Sequence, residues 1–369
     1  METIKRTLKA IAAMVVALLS CACMKNESDF PVEFVSDKES LDFVAFLSPE
    51  QQANIETCGT PFLPTQQNNA WQSIVSEDIP IHWGLFNLPV DEMKDPQTKA
   101  VGIWGAYPAQ YWTMIRVKTG VLDEFILNCM IMAIDEIETT TNVRFYNSTK
   151  DDESVVVGGT TIKLPNIKVN MGTDSQIEGT GSFGLIGGEQ YIYVPYALTD
   201  RSKYTTREVV AFFLHAFCNA AGMFNEQQRK DRDTYVTVTL NNVKDACKVC
   251  FNKQTKNYVM QGNFDYQSVT LASSRSYSKN GLKTIVKVGG AEIAKNLNLS
   301  AGDIYFLNTY YLPYIGRTDN YIELDEVVYS EGRVLTEEER IQLQTQLNAQ
   351  RGLYGTPPPE NRIEKIPWN

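Results

Sequence analysis

The chain has 369 residues, 43% of them apolar, with 18 Tyr, 16 Phe and a formal net charge of −10. That is enough apolar material for a substantial core, in one large domain or two smaller ones. No long basic block offsets the acidic balance, which argues against nucleic acid as a partner and against electrostatic attraction to anionic lipid.

Residues 1–20 read as a targeting segment rather than structure. Lys5, Arg6 and Lys9 give a positive start, and Ile11 to Leu19 is an apolar run too short to span a bilayer. It ends in Leu18-Leu19-Ser20-Cys21, which resembles a bacterial lipobox and makes Cys21 the candidate lipid-attachment residue. Cys23 is the second choice, because Ser20 would then stand where Leu is preferred. The expected location is the bacterial cell envelope, on its periplasmic or cell-surface side, with the chain held to a membrane leaflet through lipid. Of the seven cysteines, six remain after the lipid cysteine. Cys247-Lys-Val-Cys250 has no second pair or nearby histidine to make a zinc ribbon, so a local disulfide or two thiols is expected. Cys129 and Cys218 fall on apolar helix faces and read as buried thiols.

Residues 21–75 form a tether and linker, with one structured piece around Leu41 to Leu47 and a Pro-rich polar stretch from Thr60 to Asn69. The main domain is expected over 76–313. Tyr111 to Lys118 reads as a strand, Leu122 to Thr140 as an amphipathic helix, and Asn142 to Tyr146 as a strand. Strands at Ile167 to Asn170 and Tyr191 to Val194 flank a glycine-rich segment. Within it, Gly179 to Gly184 fits G-x-G-x-x-G, but a strand rather than a helix follows, so no nucleotide is expected. Val209, Phe212, Phe213, Ala216, Phe217 and Ala220 recur at helical spacing, Gly222 supplies a helix stop, and Tyr235 to Val238 alternates as a strand. Ser278 to Val288 reads as turn plus strand, and Leu299 to Tyr310 as a helix capped by Ser300. The remainder, 314–369, is an extension with one helix, opened by Thr336-Glu-Glu-Glu339 as a capping box, and a Pro-rich tail.

The run from His215 through Gly222 and Glu226 to Arg229, Asp231, Arg232, Asp233, Tyr235 and Val236 resembles the zinc-binding helix of the astacin family of metzincin endopeptidases. That motif is H-E-x-x-H-x-x-G-x-x-H-E followed by R-x-D-R-D-x-Y-V. The resemblance implies an α+β metzincin fold, a mixed twisted sheet with two long helices, here followed by a mostly irregular C-terminal subdomain. It also implies two imidazoles one helical turn apart, a third beyond the glycine, and a Glu that activates metal-bound water. His215 stands at the first ligand position, Ala216 at the general base, and Asn219 and Asn225 at the second and third ligands. Phe264 to Ala272 resembles the family's Met-turn, with Thr270 in place of the Met and Ala272 in place of the Tyr.

The chain holds two histidines, His82 and His215, too few for a three-imidazole site. Asn offers only a neutral amide oxygen, and Ala216 can neither accept a proton nor orient water. The reading is therefore of an astacin-like lipoprotein without a catalytic residue, with no cofactor expected, that holds a peptide or protein segment in its cleft. In the family the glycine-rich region supplies the edge strand on which a peptide pairs, and backbone pairing needs no metal. The alternatives are a zinc endopeptidase with an atypical metal site and a structural subunit of a surface complex.

Overall fold

In the computed structural model, the structure describes residues 114–157, 160–163, 166–172, 180–182, 184, 189–254, 262–317, 321–350, 353–355 and 366–368, with short strands at 44–45 and 58–60. His82, Cys21 and Cys23, the targeting segment and the Thr60 to Asn69 linker all involve residues outside these, apart from the strand residue Thr60.

Two short strands come first, β1 (Val44–Ala45) and β2 (Cys58–Thr60). β3 (Ile115–Thr119) leads into helix α1 (Glu124–Thr140) and back to β4 (Phe145–Asn147), a parallel neighbour of β3. Asp123 caps α1 by accepting from the Phe125 amide at 2.9 Å, which satisfies a donor that the first turn leaves open. A hairpin, β5 (Ser154–Val157) and β6 (Thr160–Lys163), precedes β7 (Asn166–Met171), β8 (Thr180–Ser182) and β9 (Glu189–Val194). Strands β4, β3, β7 and β9 lie in that order in one sheet, all parallel, with β7 and β9 in register from Asn166 opposite Glu189 to Met171 opposite Val194. β3 and β7 alternate with period two, so Ile115, Val117, Ile167 and Val169 join the main apolar core at 0–1% exposure while Arg116, Lys118 and Lys168 fall on the other face.

Helix α2 (Thr206–Ala220) packs on α1 and is buried on every side from Glu208 to Ala220. The sequence suggested one apolar face. A helix enclosed all round is instead the centre of the core, and its polar residues must find partners there. Its N-terminus is a capping box, with the Thr205 amide donating to Glu208 Oε2 at 2.6 Å. Gly222 takes φ 101°, a left-handed conformation that ends the helix cheaply only for glycine. α1 and α2 are clamped by a two-pronged contact of Arg207 with Glu136, at 2.5 and 3.0 Å.

Beyond α2 the chain turns through short 3-10 helices, including Asp245–Phe251, with little regular structure. β10 (Val236–Val238) pairs with β11 (Ile285–Lys287), β12 (Lys295–Asn296) pairs with β1, and α3 (Ala301–Tyr310) starts from the Ser300 cap. The C-terminal extension adds two hairpins to the expected helix, β13 (Tyr314–Arg317) with β14 (Ile322–Leu324) and β15 (Tyr329–Ser330) with β16 (Arg333–Val334). Its helix α4 (Glu337–Gln350) packs on β14 through Leu343, Tyr314 and Leu324. The extension is tied to the main core by Arg144 on Asp325 at 2.7 Å, by Trp368, and by Asn147 donating to the Pro367 carbonyl at 2.6 Å.

Candidate functional site

α2 places His215 and Asn219 one turn apart on the same face, and the turn at Gly222 returns Asn225 to meet them. All three are fully buried. Asn225 Oδ1 lies 2.7 Å from His215 Nε2 and accepts from Asn219 Nδ2 at 3.1 Å. Asn219 Nδ2 also donates to the Met223 carbonyl at 2.9 Å. The positions that the resemblance marks as ligands thus bond to one another. Asn225 Nδ2 has no hydrogen-bond partner among the described residues.

A fourth group completes the cluster. Lys295, 0% exposed, brings Nζ to 3.3 Å from His215 Nδ1 and donates to the Val269 carbonyl at 3.1 Å. An ammonium can only donate, so Nδ1 accepts and Nε2 carries the imidazole proton, which it gives to Asn225. Burial, with the Lys295 charge second, holds the His215 pKa well below its ordinary value, so the ring is neutral. Nothing in the sequence pointed to Lys295. It stands 80 residues from His215 and carries no motif.

The retained scaffold residues work on the backbone. Glu226 Oε1 accepts from the Asp265 amide at 2.8 Å, joining the end of the helix loop to the turn before Thr270. Arg229 grips Asp231 with two bonds of 2.9 and 3.0 Å, and Arg232 donates to the carbonyls of Gln227 and Phe251. Thr270 is buried and its hydroxyl meets Ser268 Oγ at 2.8 Å, while the Ala272 amide donates to Gln227 at 2.9 Å. Asp303 of α3 accepts from Ser268 Oγ at 2.7 Å and from the Val269 amide at 2.8 Å, fixing this turn to the closing helix. Ala216, 1% exposed, is packed in the core. Cys129 and Cys218 are buried thiols as expected, and burial pushes Cys129 up to about 11.

Beside the cluster lies a cavity of about 240 Å³ lined by Glu226, Arg229, Asp265, Ser268 and Asp303 among aromatic residues. Burial pushes the Glu226 carboxyl up to about 8, against the opposing Arg229 charge. Burial, with Asp265 second, pushes Asp303 up to about 6. A carboxyl whose folded pKa is raised favours folding below its ordinary value, and that contribution is lost as pH rises through the folded pKa. His215, held low, adds a slope only below its ordinary 6.5, and the raised thiols act only towards their ordinary 9.0 and above. Between pH 6.5 and 8, stability should therefore fall with rising pH by at most about 1.4 kcal/mol per unit. Urea midpoints measured across this window test it, and Glu226→Gln should flatten the slope.

Residues 182–312 match the family model Astacin (Peptidase family M12A). That segment is astacin-like in sequence and makes up about a third of the chain. The chain is 33% identical over 131 residues to zinc metalloproteinase nas-13 of Caenorhabditis elegans, a match covering 35% of this chain and 27% of that protein. It is 27% identical over 212 residues to zinc metalloproteinase nas-14 of the same organism, covering 56% and 38%. The chain thus spans well under half the length of these curated relatives. Among solved structures it is similar to high choriolytic enzyme 1, a hatching-enzyme zinc protease of Oryzias latipes, at 21% identity and a TM-score of 0.40, covering 54% of this chain and 89% of that one.

One expectation is corrected by these matches. No cofactor was expected, whereas residues 182–312 match a peptidase family whose curated relatives here are zinc metalloproteinases, which makes zinc the cofactor implied for this family. A count of two histidines excludes a three-imidazole set and no other set of donors, so it could not carry the wider expectation. The residues at the three positions do not fit that imidazole set: one is an imidazole with both nitrogens engaged, and two are amides bonded within the cluster.

Proposed function

We propose that this chain is a lipid-anchored member of the astacin family, in a bacterial cell envelope, that holds an extended peptide or protein segment in its cleft without hydrolysing it. The observation that carries the reading is Ala216, buried at 1% exposure beside His215, where the family places a general base. General-base catalysis contributes about 10²–10⁴-fold, and among the described residues no hydrogen bond brings another carboxyl to His215 in the cluster with Asn219, Asn225 and Lys295. Holding a segment needs only backbone donors and acceptors along a strand edge. In support, β8 already carries a backbone ladder, with Cys58, Gly59 and Thr60 opposite Thr180, Gly181 and Ser182. Attachment at Cys21 would keep the domain at the membrane surface.

The test is to incubate the purified chain with an unfolded protein and a mixed peptide pool, reading both cleavage and retained peptide by mass spectrometry. Retained peptides without new termini are the expected result. Cleavage that a chelator stops and His215→Ala abolishes would replace the proposal with an atypical zinc endopeptidase. Metal content read on the same sample keeps the two questions apart, since bound zinc without cleavage leaves the proposal standing.

A further inference from the structure

The cysteines do not pair as a local bridge. Cys250 is disulfide-bonded, whereas Cys247, its neighbour in the C-x-x-C, is a thiol, as are Cys129 and Cys218. Of seven cysteines this leaves Cys21, Cys23 and Cys58 as possible partners, all of them before the domain begins.

The backbone chooses among them. The 3-10 helix Asp245–Phe251, which carries Cys250, lies against β2, and β2 begins at Cys58. β2 runs parallel to β8, which in turn lies beside β9 and α2. The same N-terminal part of the chain touches the domain a second time. Val44 and Ala45 of β1 pair with Asn296 and Lys295 of β12, and Lys295 is the residue whose ammonium faces His215. β1 and β2 thus attach to the domain at two places, at Lys295 and at the β8 edge.

Ladders of two and three residues are shorter than the usual strand of about 5–6, and an isolated short pair is marginal in water. A covalent link next to one of them would fix its register and hold it there against dissociation. We infer that Cys250 is bonded to Cys58, and that this bond makes the N-terminal segment a covalent strap whose β2 strand covers the backbone edge of β8. The bond forms as the two thiols give up two protons and two electrons to a disulfide-bearing oxidant of an exported compartment. The inference goes beyond peptide holding: it says what already occupies the edge, so a foreign segment must displace the strap or pair elsewhere.

The experiment uses the full-length chain purified from membranes in detergent. Proteolysis without reductant should release a peptide joining Cys58 to Cys250 that separates on reduction. Amide hydrogen exchange at 180–182 should be slow in this protein and faster by at least about tenfold in Cys250→Ser and in Cys58→Ser. Cys247→Ser should leave it unchanged. If the serine variants do not fold, the wild-type chain under a mild phosphine reductant gives the same readout. A Cys250 peptide joined to Cys21, Cys23 or Cys247, or β8 amides indifferent to loss of the bond, overturns the inference. Absence of retained peptide with the Cys58 link intact and β8 protected would sink the peptide-holding reading and leave the strap.

Discussion

Asn225→Ala is expected to destabilise the folded chain by about 2–4 kcal/mol, because each buried donor left without an acceptor costs about 1–3 kcal/mol. Asn225 Oδ1 is the common acceptor for His215 Nε2 and Asn219 Nδ2, and all three side chains are fully buried. Removing it takes one acceptor from both His215 Nε2 and Asn219 Nδ2, the latter still donating to the Met223 carbonyl. Loss of the amide nitrogen, which has no partner among the described residues, offsets part of the cost. Urea denaturation with an unchanged m-value reads the loss as stability rather than as altered compactness. A change below about 0.5 kcal/mol, the range of ordinary surface substitutions, would mean that the cluster is not a closed network.

Phe217→Ala should cost about 3–5 kcal/mol, the usual range for truncating a large buried aromatic side chain. Phe217 is 0% exposed, with its ring 4.9 Å from that of Phe145 and 6.1 Å from that of Phe213, so it joins α2 to the sheet. It lies two residues from both His215 and Asn219, and a cavity there would loosen the wall that holds them. The prediction is a lower unfolding midpoint, with faster exchange of the α2 amides than of those in α4. α4 belongs to a separate apolar cluster around Tyr314 and Leu343 and should be spared. Equal loosening of both would refute this division.

Much of the chain was legible without coordinates. Ser300 as a helix cap, Gly222 as the stop of α2, and the spacing of His215, Asn219 and Asn225 are local facts, written in residues a few positions apart. The same holds for the substitution of Ala216, Thr270 and Ala272 into a recognisable frame. Local signals of this kind survive because capping, helical periodicity and positive φ each depend on a handful of neighbours.

What stayed hidden depended on contacts distant in sequence. Lys295 reaches His215 across 80 residues, and Asp303 reaches Val269 across 34. No spacing rule connects such positions, because only the packing of α2 against β12 and α3 makes them neighbours. The cysteines show the same division. C-x-x-C spacing left a local bridge or two thiols open, and the tertiary structure makes Cys250 disulfide-bonded and Cys247 a thiol. The sequence by itself determined where this chain matches the astacin frame and which residues stand at its ligand and base positions. Only the tertiary structure decided what the remaining groups do, because a buried donor or acceptor must be satisfied by whatever the fold brings within about 3 Å of it.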